Sequence, residues 1–188
     1  IKNSWVTNGY LSEKTLLDLC LYLDAASVNL KAFNEKVHRR LVGGKLRPVM
    51  DTLVTLKKQG VWFEVINLIV PTYTDDLEEI KRMCGWLVET LGPDYPLHFL
   101  RFRPMYQLTN LPPTPVKILG DAREAARKAG LRYVYLGNVP EFDDAGTTYC
   151  PHCKKAVIER EFMTVTRSQL EGGKCRFCGT KLAGVWGK

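Results

Sequence analysis

Four cysteines near the end of the chain carry the clearest chemistry in this sequence. Cys150-Pro-His-Cys153 and, 21 residues further on, Cys175-Arg-Phe-Cys178-Gly179 form two C-x-x-C pairs. Each pair can present two thiolates from one turn. Two pairs together supply the four sulfurs of a tetrahedral site, whose commonest occupant is zinc. Cys150, Cys153, Cys175 and Cys178 are therefore the expected ligands of one Zn2+. A redox dithiol or an iron–sulfur centre is the other chemistry that such pairs perform. Gly179, just after the last cysteine, lets backbone amides turn in toward the sulfurs. His152 lies between two ligands of a set already complete and is expected to face solvent. Cys20 and Cys84 stand singly in helical patterns and read as small buried hydrophobes.

A second group of residues gains meaning only as a set. Thr7-Asn8-Gly9, Asn29 and Lys31, Asn67 with the Pro71-Thr72-Tyr73 turn, Arg101 and Arg103, and Asn138 each lie toward the end of an apolar run. Singly, Asn-Gly and Pro-Thr are ordinary turn residues, and one lysine at a strand end could merely snorkel. In an α/β protein, however, chemistry gathers outside the carboxyl ends of parallel strands. There the set places amide, hydroxyl and cationic groups on one rim, suited to a small molecule bearing a carboxylate or phosphate. No Asp or Glu stands at a strand end apart from Glu64, inside the third apolar run, so a two-carboxylate mechanism has no support. His38 falls on a helix and His98 at the start of the fourth strand, the end away from that rim; both read as structural. No G-x-G-x-x-G, Walker loop or Ser/His/Asp arrangement is present.

The elements that must position these groups alternate. Strands are expected at residues 4–6, 25–33, 61–70, 97–102 and 132–136. Helices are expected from Ser12-Glu13 through Leu23, from an Asn34 cap to Gly43-Gly44, over 48–58, from a Thr74 or Asp75 cap to Leu91, and over 116–129. The run VWFEVINLIV at 61–70 is nearly all apolar, as in a strand covered on both faces. A βα repeat implies parallel strands with right-handed crossovers. Five strands fall short of a closed eight-stranded barrel, and the edge at residues 4–6 needs cover. The expected fold class is α/β: a partial (β/α) barrel of about five parallel strands over residues 1–140. A polar linker, 141–148, leads to a small four-cysteine zinc ribbon over 149–188.

Composition narrows the setting. Of the 188 residues, 45% are hydrophobic and 25% charged, an ordinary globular balance with no apolar run near the ~20 residues of a membrane span. The formal charge of +7 invites a nucleic-acid reading. The excess is spread out, and four thiolates on a divalent metal would reduce it, so a solvated basic face is expected and an anionic partner comes second. Nothing indicates a disulfide-stapled secreted domain, which points to a reducing compartment such as the cytoplasm. Ile1 is not a natural start, so upstream sequence is expected.

Several blocks together carry a family resemblance over essentially the whole chain. VTNGY at 6–10, DAASVNLKAF at 24–33, the Val37-His38…Leu41-Val42-Gly43 helix end and IVPTYTDD at 69–76 resemble the second half of a radical S-adenosylmethionine (SAM) enzyme of the pyruvate formate-lyase activating type. HFLRFRPMYQLTNLPPTP at 98–115, RYVYLGNVP at 132–140 and the terminal CPHC…CRFCG…GVW are similar to the AmmeMemoRadiSam-system, or pyruvate formate-lyase activating enzyme-related, branch. The resemblance implies a partial barrel holding a 4Fe–4S cluster and SAM, which is cleaved reductively to a 5′-deoxyadenosyl radical. It places Thr7 and Asn8 beside the methionine part of the cofactor. The family's D-x-K strand motif falls on Asn29-Leu30-Lys31, with Lys31 reaching the cofactor carboxylate, and Arg103 stands where such enzymes often have histidine. The cluster-binding C-x-x-x-C-x-x-C triad is not in this sequence and is expected upstream. The chain alone is then expected to be inactive, its partners the N-terminal half of the barrel and a protein substrate, with no nucleic acid and no membrane. The contrasting reading is a zinc-ribbon module that docks nucleic acid or a partner protein through its basic face.

Overall fold

A computed structural model describes residues 1–162 and 164–186 of the chain. Five strands, β1 (Ser4–Thr7), β2 (Ala25–Asn29), β3 (Trp62–Ile69), β4 (Leu97–Arg101) and β5 (Val134–Gly137), form one parallel sheet in the order 1-2-3-4-5. Between them run α1 (Glu13–Cys20), α2 (Glu35–Val42), α3 (Arg47–Lys58), α4 (Leu77–Trp86) and α5 (Val116–Ala129). Sequential strand order with right-handed crossovers puts every helix on the same side of the sheet. The core accordingly lies on one face, where Leu16, Val49, Leu53, Ile80, Met83, Leu119 and Ala126 meet Val28, Phe63, Val65, Leu97 and Phe99.

That geometry corrects the expectation that 61–70 is covered on both faces. Along β3 the residues alternate: Phe63, Val65, Asn67 and Ile69 are buried under helices, whereas Trp62, Glu64, Ile66 and Leu68 are half-buried on the other side. A curved sheet with helices on one side leaves its second face open, as the inner wall of a partial barrel must be.

Local signals set most boundaries. Ser12 caps α1, its hydroxyl accepting from Thr15 N, and Asn34 caps α2 by accepting from Lys36 N and Val37 N. Neither Thr74 nor Asp75 caps α4. The Thr74 hydroxyl is spent inside the preceding turn, donating to Leu68 O and accepting from Val70 N, so Asp76 caps the helix instead. The last turn before Gly92 widens to a π-helical turn, Leu87–Leu91. β2 stops at Asn29, four residues short of Phe33, although Leu30 N still donates to Ile66 O at 2.9 Å.

After Gly137 the architecture changes to short antiparallel pieces. β6 (Thr148–Tyr149), β7 (Ala156–Glu161) and β8 (Thr164–Ser168) make one sheet, and β9 (Leu170–Glu171) pairs with β10 (Lys174–Cys175). Tyr133, Cys150, Val157, Cys175 and Leu182 form its small core, with Tyr135 and Trp186 against it. Among the described residues no helix is long and apolar enough to cross a membrane.

Candidate metal centre and sheet-edge site

The four cysteines converge. Cys150 Sγ lies 3.6 Å from Cys178 Sγ and Cys153 Sγ 3.7 Å from Cys175 Sγ, and all four sulfurs fall within 4.8 Å of one another. A metal–sulfur bond of about 2.3 Å gives tetrahedral edges of about 3.8 Å, so the sulfurs are already spaced for one ion. Two matching knuckles produce this spacing. In the first, Cys150 N donates to Lys155 O and Lys154 N to Cys150 O; in the second, Cys175 N donates to Thr180 O and Gly179 N to Cys175 O. Gly179 has φ +74°, and Lys154, its counterpart, is forced to φ +61°. Sequence reading found the glycine and missed the lysine, because only the repeated hydrogen-bond pattern shows their equivalence. Cys150 and Cys175 are buried, whereas Cys178 is exposed with Thr180 Oγ1 3.3 Å from its sulfur. Hydrogen bonds from Thr180 hold the Cys178 thiol down at about 5, whereas Cys153, despite a backbone hydrogen bond at Lys155, is pushed up to about 11 by burial and the neighbouring thiols. His152 is exposed, as expected.

At the carboxyl edge of the sheet the structure brings three of the rim residues together. Asn29 Nδ2 donates to Thr7 O at 3.1 Å, and Lys31 Nζ donates to Asn29 Oδ1 at 2.8 Å. Lys31 is half-buried, and burial pulls its amine below the ordinary lysine range. Among the described residues no carboxylate lies within salt-bridge distance of it. A half-buried amine with only a neutral acceptor is a natural seat for a ligand carboxylate. Thr7 and Asn8 spend their side chains on the turn itself: Thr7 Oγ1 accepts from Gly9 N and Asn8 Oδ1 from Tyr10 N. Gly9, at φ +70°, has Val28 and Val49 methyls 3.1 and 3.2 Å from where a Cβ would stand. Any other residue would push this turn off the sheet edge.

The remaining rim residues separate from that cluster. Asn67 points into the helix side, buried, and donates to Leu30 O, which pins the backbone just before Lys31. Arg101 is consumed by Thr114 O and Glu141, and Asn138, at φ +60°, donates to Arg101 O. Arg103 stands exposed two residues beyond β4, on the same edge as Lys31 but with no hydrogen bond to Thr7, Asn29 or Lys31.

Sequence reading missed a third feature. Glu64 and His98 meet on the open face of the sheet, Glu64 Oε2 lying 2.7 Å from His98 Nε2 at ion-pair distance without hydrogen-bond geometry. His98 stacks on Tyr135, ring centroids 4.9 Å apart, and Tyr135 Oη is 2.9 Å from Thr148 Oγ1. Arg160 donates to Gly146 O and Thr148 Oγ1 with its guanidinium 5.9 Å over the Tyr135 ring. The imidazole beside it holds the Glu64 carboxyl below the usual glutamate range. The stability this pair supplies is therefore complete above about pH 4.5 and is lost as pH falls through the lowered value. Glu64 is more than a third exposed, so the loss amounts to about 1 kcal/mol or less. Urea unfolding at about pH 6 and about pH 3 should show that increment in the wild type and not in Glu64→Gln.

Comparison with known proteins places this geometry. No family model matches the chain. An uncharacterized protein of Methanocaldococcus jannaschii is 38% identical over 182 residues, covering 96% of this chain and 54% of that protein. The chain thus spans about half the length of that curated relative. A domain of pyruvate-formate lyase-activating enzyme from Bacteroides vulgatus superposes with TM-score 0.60 at 14% identity, over 71% of this chain and 80% of that domain. A radical SAM methyltransferase from Sphaerobacter thermophilus gives 0.59 at 12% identity, over 76% of this chain and 42% of that one. Streptococcus suis SuiB gives 0.55 at 13% identity, over 80% and 37%, and it has also been solved bound to S-adenosylmethionine. The five-stranded sheet with its one-sided helices is therefore a fold that this chain shares with radical SAM enzymes.

Proposed function

We propose that this chain is the SAM-binding, C-terminal part of a radical SAM enzyme of the pyruvate formate-lyase activating enzyme-related, AmmeMemoRadiSam type. The observation that carries the reading is Lys31: a half-buried amine without a carboxylate partner, held by Asn29 and, through it, by the end of β1. In this reading the SAM carboxylate takes up Lys31, Thr7 and Asn8 line the methionine end, and Arg103 supplies a second cation from just beyond β4. Asn29, where the related motif has aspartate, orients Lys31 without neutralising it. The amine is thus left for the ligand.

The residues present do not fit a 4Fe–4S cluster. Cys20 and Cys84 stand alone, and the sulfurs of the other four cysteines are too close together to sit on separate irons. What this chain contributes in this reading is binding and orientation of SAM. For the four-cysteine site we assign structural Zn2+, which suits a closed set of four thiolates on two knuckles.

Calorimetric titration of the full chain with SAM tests the reading. The expected result is a dissociation constant near or below about 1 mM. Lys31→Ala should weaken it at least about tenfold, the value of one charge-assisted hydrogen bond. Equal binding by wild type and Lys31→Ala, or no binding by either, would overturn it.

A further inference from the structure

We propose that His98 is a proton-transfer residue facing a substrate on the open face of the sheet, with Glu64 as the residue that positions it. The inference deepens the SAM reading, because it places a substrate group beside the cofactor edge. Register brings this about. Asn29 pairs with Ile66, Ile66 with His98 and His98 with Tyr135, so these four form one row across the face without helices, its Tyr135 end packed against the ribbon. His98 is thus two strands from Asn29, about 10 Å, and level with the foot of the Lys31 site. Glu64 lies on the same face one pleat below.

The imidazole is fixed from two sides: Glu64 Oε2 lies 2.7 Å from Nε2 and Tyr135 stacks on the ring plane, with Thr148 and Arg160 holding Tyr135 in turn. With that carboxylate 2.7 Å from Nε2, charge favours the tautomer that carries its proton there, which leaves the Nδ1 lone pair as the acceptor. Nδ1 makes no hydrogen bond among the described residues, and the side chain is 28% exposed on the open face. A carboxylate–imidazole pair whose other ring nitrogen is left as an acceptor is the arrangement that general bases use. The charged groups facing it are Glu64 on β3 and Arg160 on β7, with the Tyr135 phenol on β5. The substrate class is one with an O–H or N–H beside the reacting carbon. The heteroatom keeps its electron pair, the proton passes to Nδ1, and Glu64 balances the imidazolium that results.

The chain has three histidines, which makes the test direct. His38 Nδ1 lies 2.9 Å from Gly44 O and must donate to it, so His38 serves as a reference for the opposite tautomer. Long-range proton–nitrogen spectra at neutral to mildly alkaline pH should show His98 protonated on Nε2. Diethyl pyrocarbonate should acylate His98 in the folded wild type. In Glu64→Gln that rate should fall, because the Nε2–H tautomer is no longer favoured, with exposed His152 unchanged. An unchanged His38 tautomer shows that the variant is folded. An Nδ1–H tautomer at His98, a His98 that stays unmodified while His152 reacts, or a rate indifferent to Glu64→Gln would overturn the assignment. Failure of SAM to bind while His98 behaves as described would instead remove the cofactor reading and leave the pair standing.

Discussion

Removal of the metal from the four cysteines, or Cys153→Ser, should unfold the chain from Thr148 onward and leave the five-stranded sheet folded. The ribbon's buried core comprises Tyr133, Cys150, Val157, Cys175 and Leu182, and two of these five belong to the four-cysteine set. Its strands are two to six residues long, and every residue of β8 is exposed. So little apolar burial cannot offset the ordering entropy of the segment. Structural zinc, worth about 10–16 kcal/mol in small metallodomains, can. Metal analysis should find one zinc per chain. After chelation, amide signals beyond Thr148 should collapse to the unfolded region while helical circular dichroism stays nearly constant. Collapse of the helical signal as well, or an intact ribbon spectrum without metal, would contradict this.

Phe63→Ala should do the reverse. Phe63 is fully buried on the helix side of β3 and stacks on Tyr95 at 4.0 Å and 7° between ring planes. Its truncation loses transfer energy and leaves a cavity, about 3–5 kcal/mol, with the aromatic pair included in that cost. Against a total of about 5–15 kcal/mol for a domain of this size, the sheet becomes marginal. Urea unfolding should shift by that amount, while zinc content stays at one per chain. A shift below about 1 kcal/mol would show that the helix-covered face is not the core on which the barrel depends.

Some of this was legible before any fold was known. Two C-x-x-C pairs confine their own geometry, because each knuckle is local and four thiolates have few ways to share one ion. The caps at Ser12 and Asn34, the stop at Gly43 and the βα alternation are short-range signals of the same kind. The Asn29-Leu30-Lys31 segment read as lying toward a strand's end, and β2 stops at Asn29, whose Oδ1 accepts from Lys31 Nζ.

Other features depend on which strand stands beside which. Residues 61–70 are apolar enough for a strand buried on both sides, yet sequential strand order put every helix on one side and left Glu64 half open. His98 comes at the start of β4 in sequence and so seemed to belong to the wrong end of the sheet. β4 is staggered along β3, and that offset lifts His98 level with Ile66 and Asn29. Hydrogen-bond register between strands that are thirty residues apart is set by packing and has no local code. The amino-acid order therefore determined the metal knuckles, the caps and the lysine at the strand end, all built from neighbours in the chain. Only the assembled sheet decided which face stayed open and which side chains meet across it, because that pairing is made between segments that local forces never bring together.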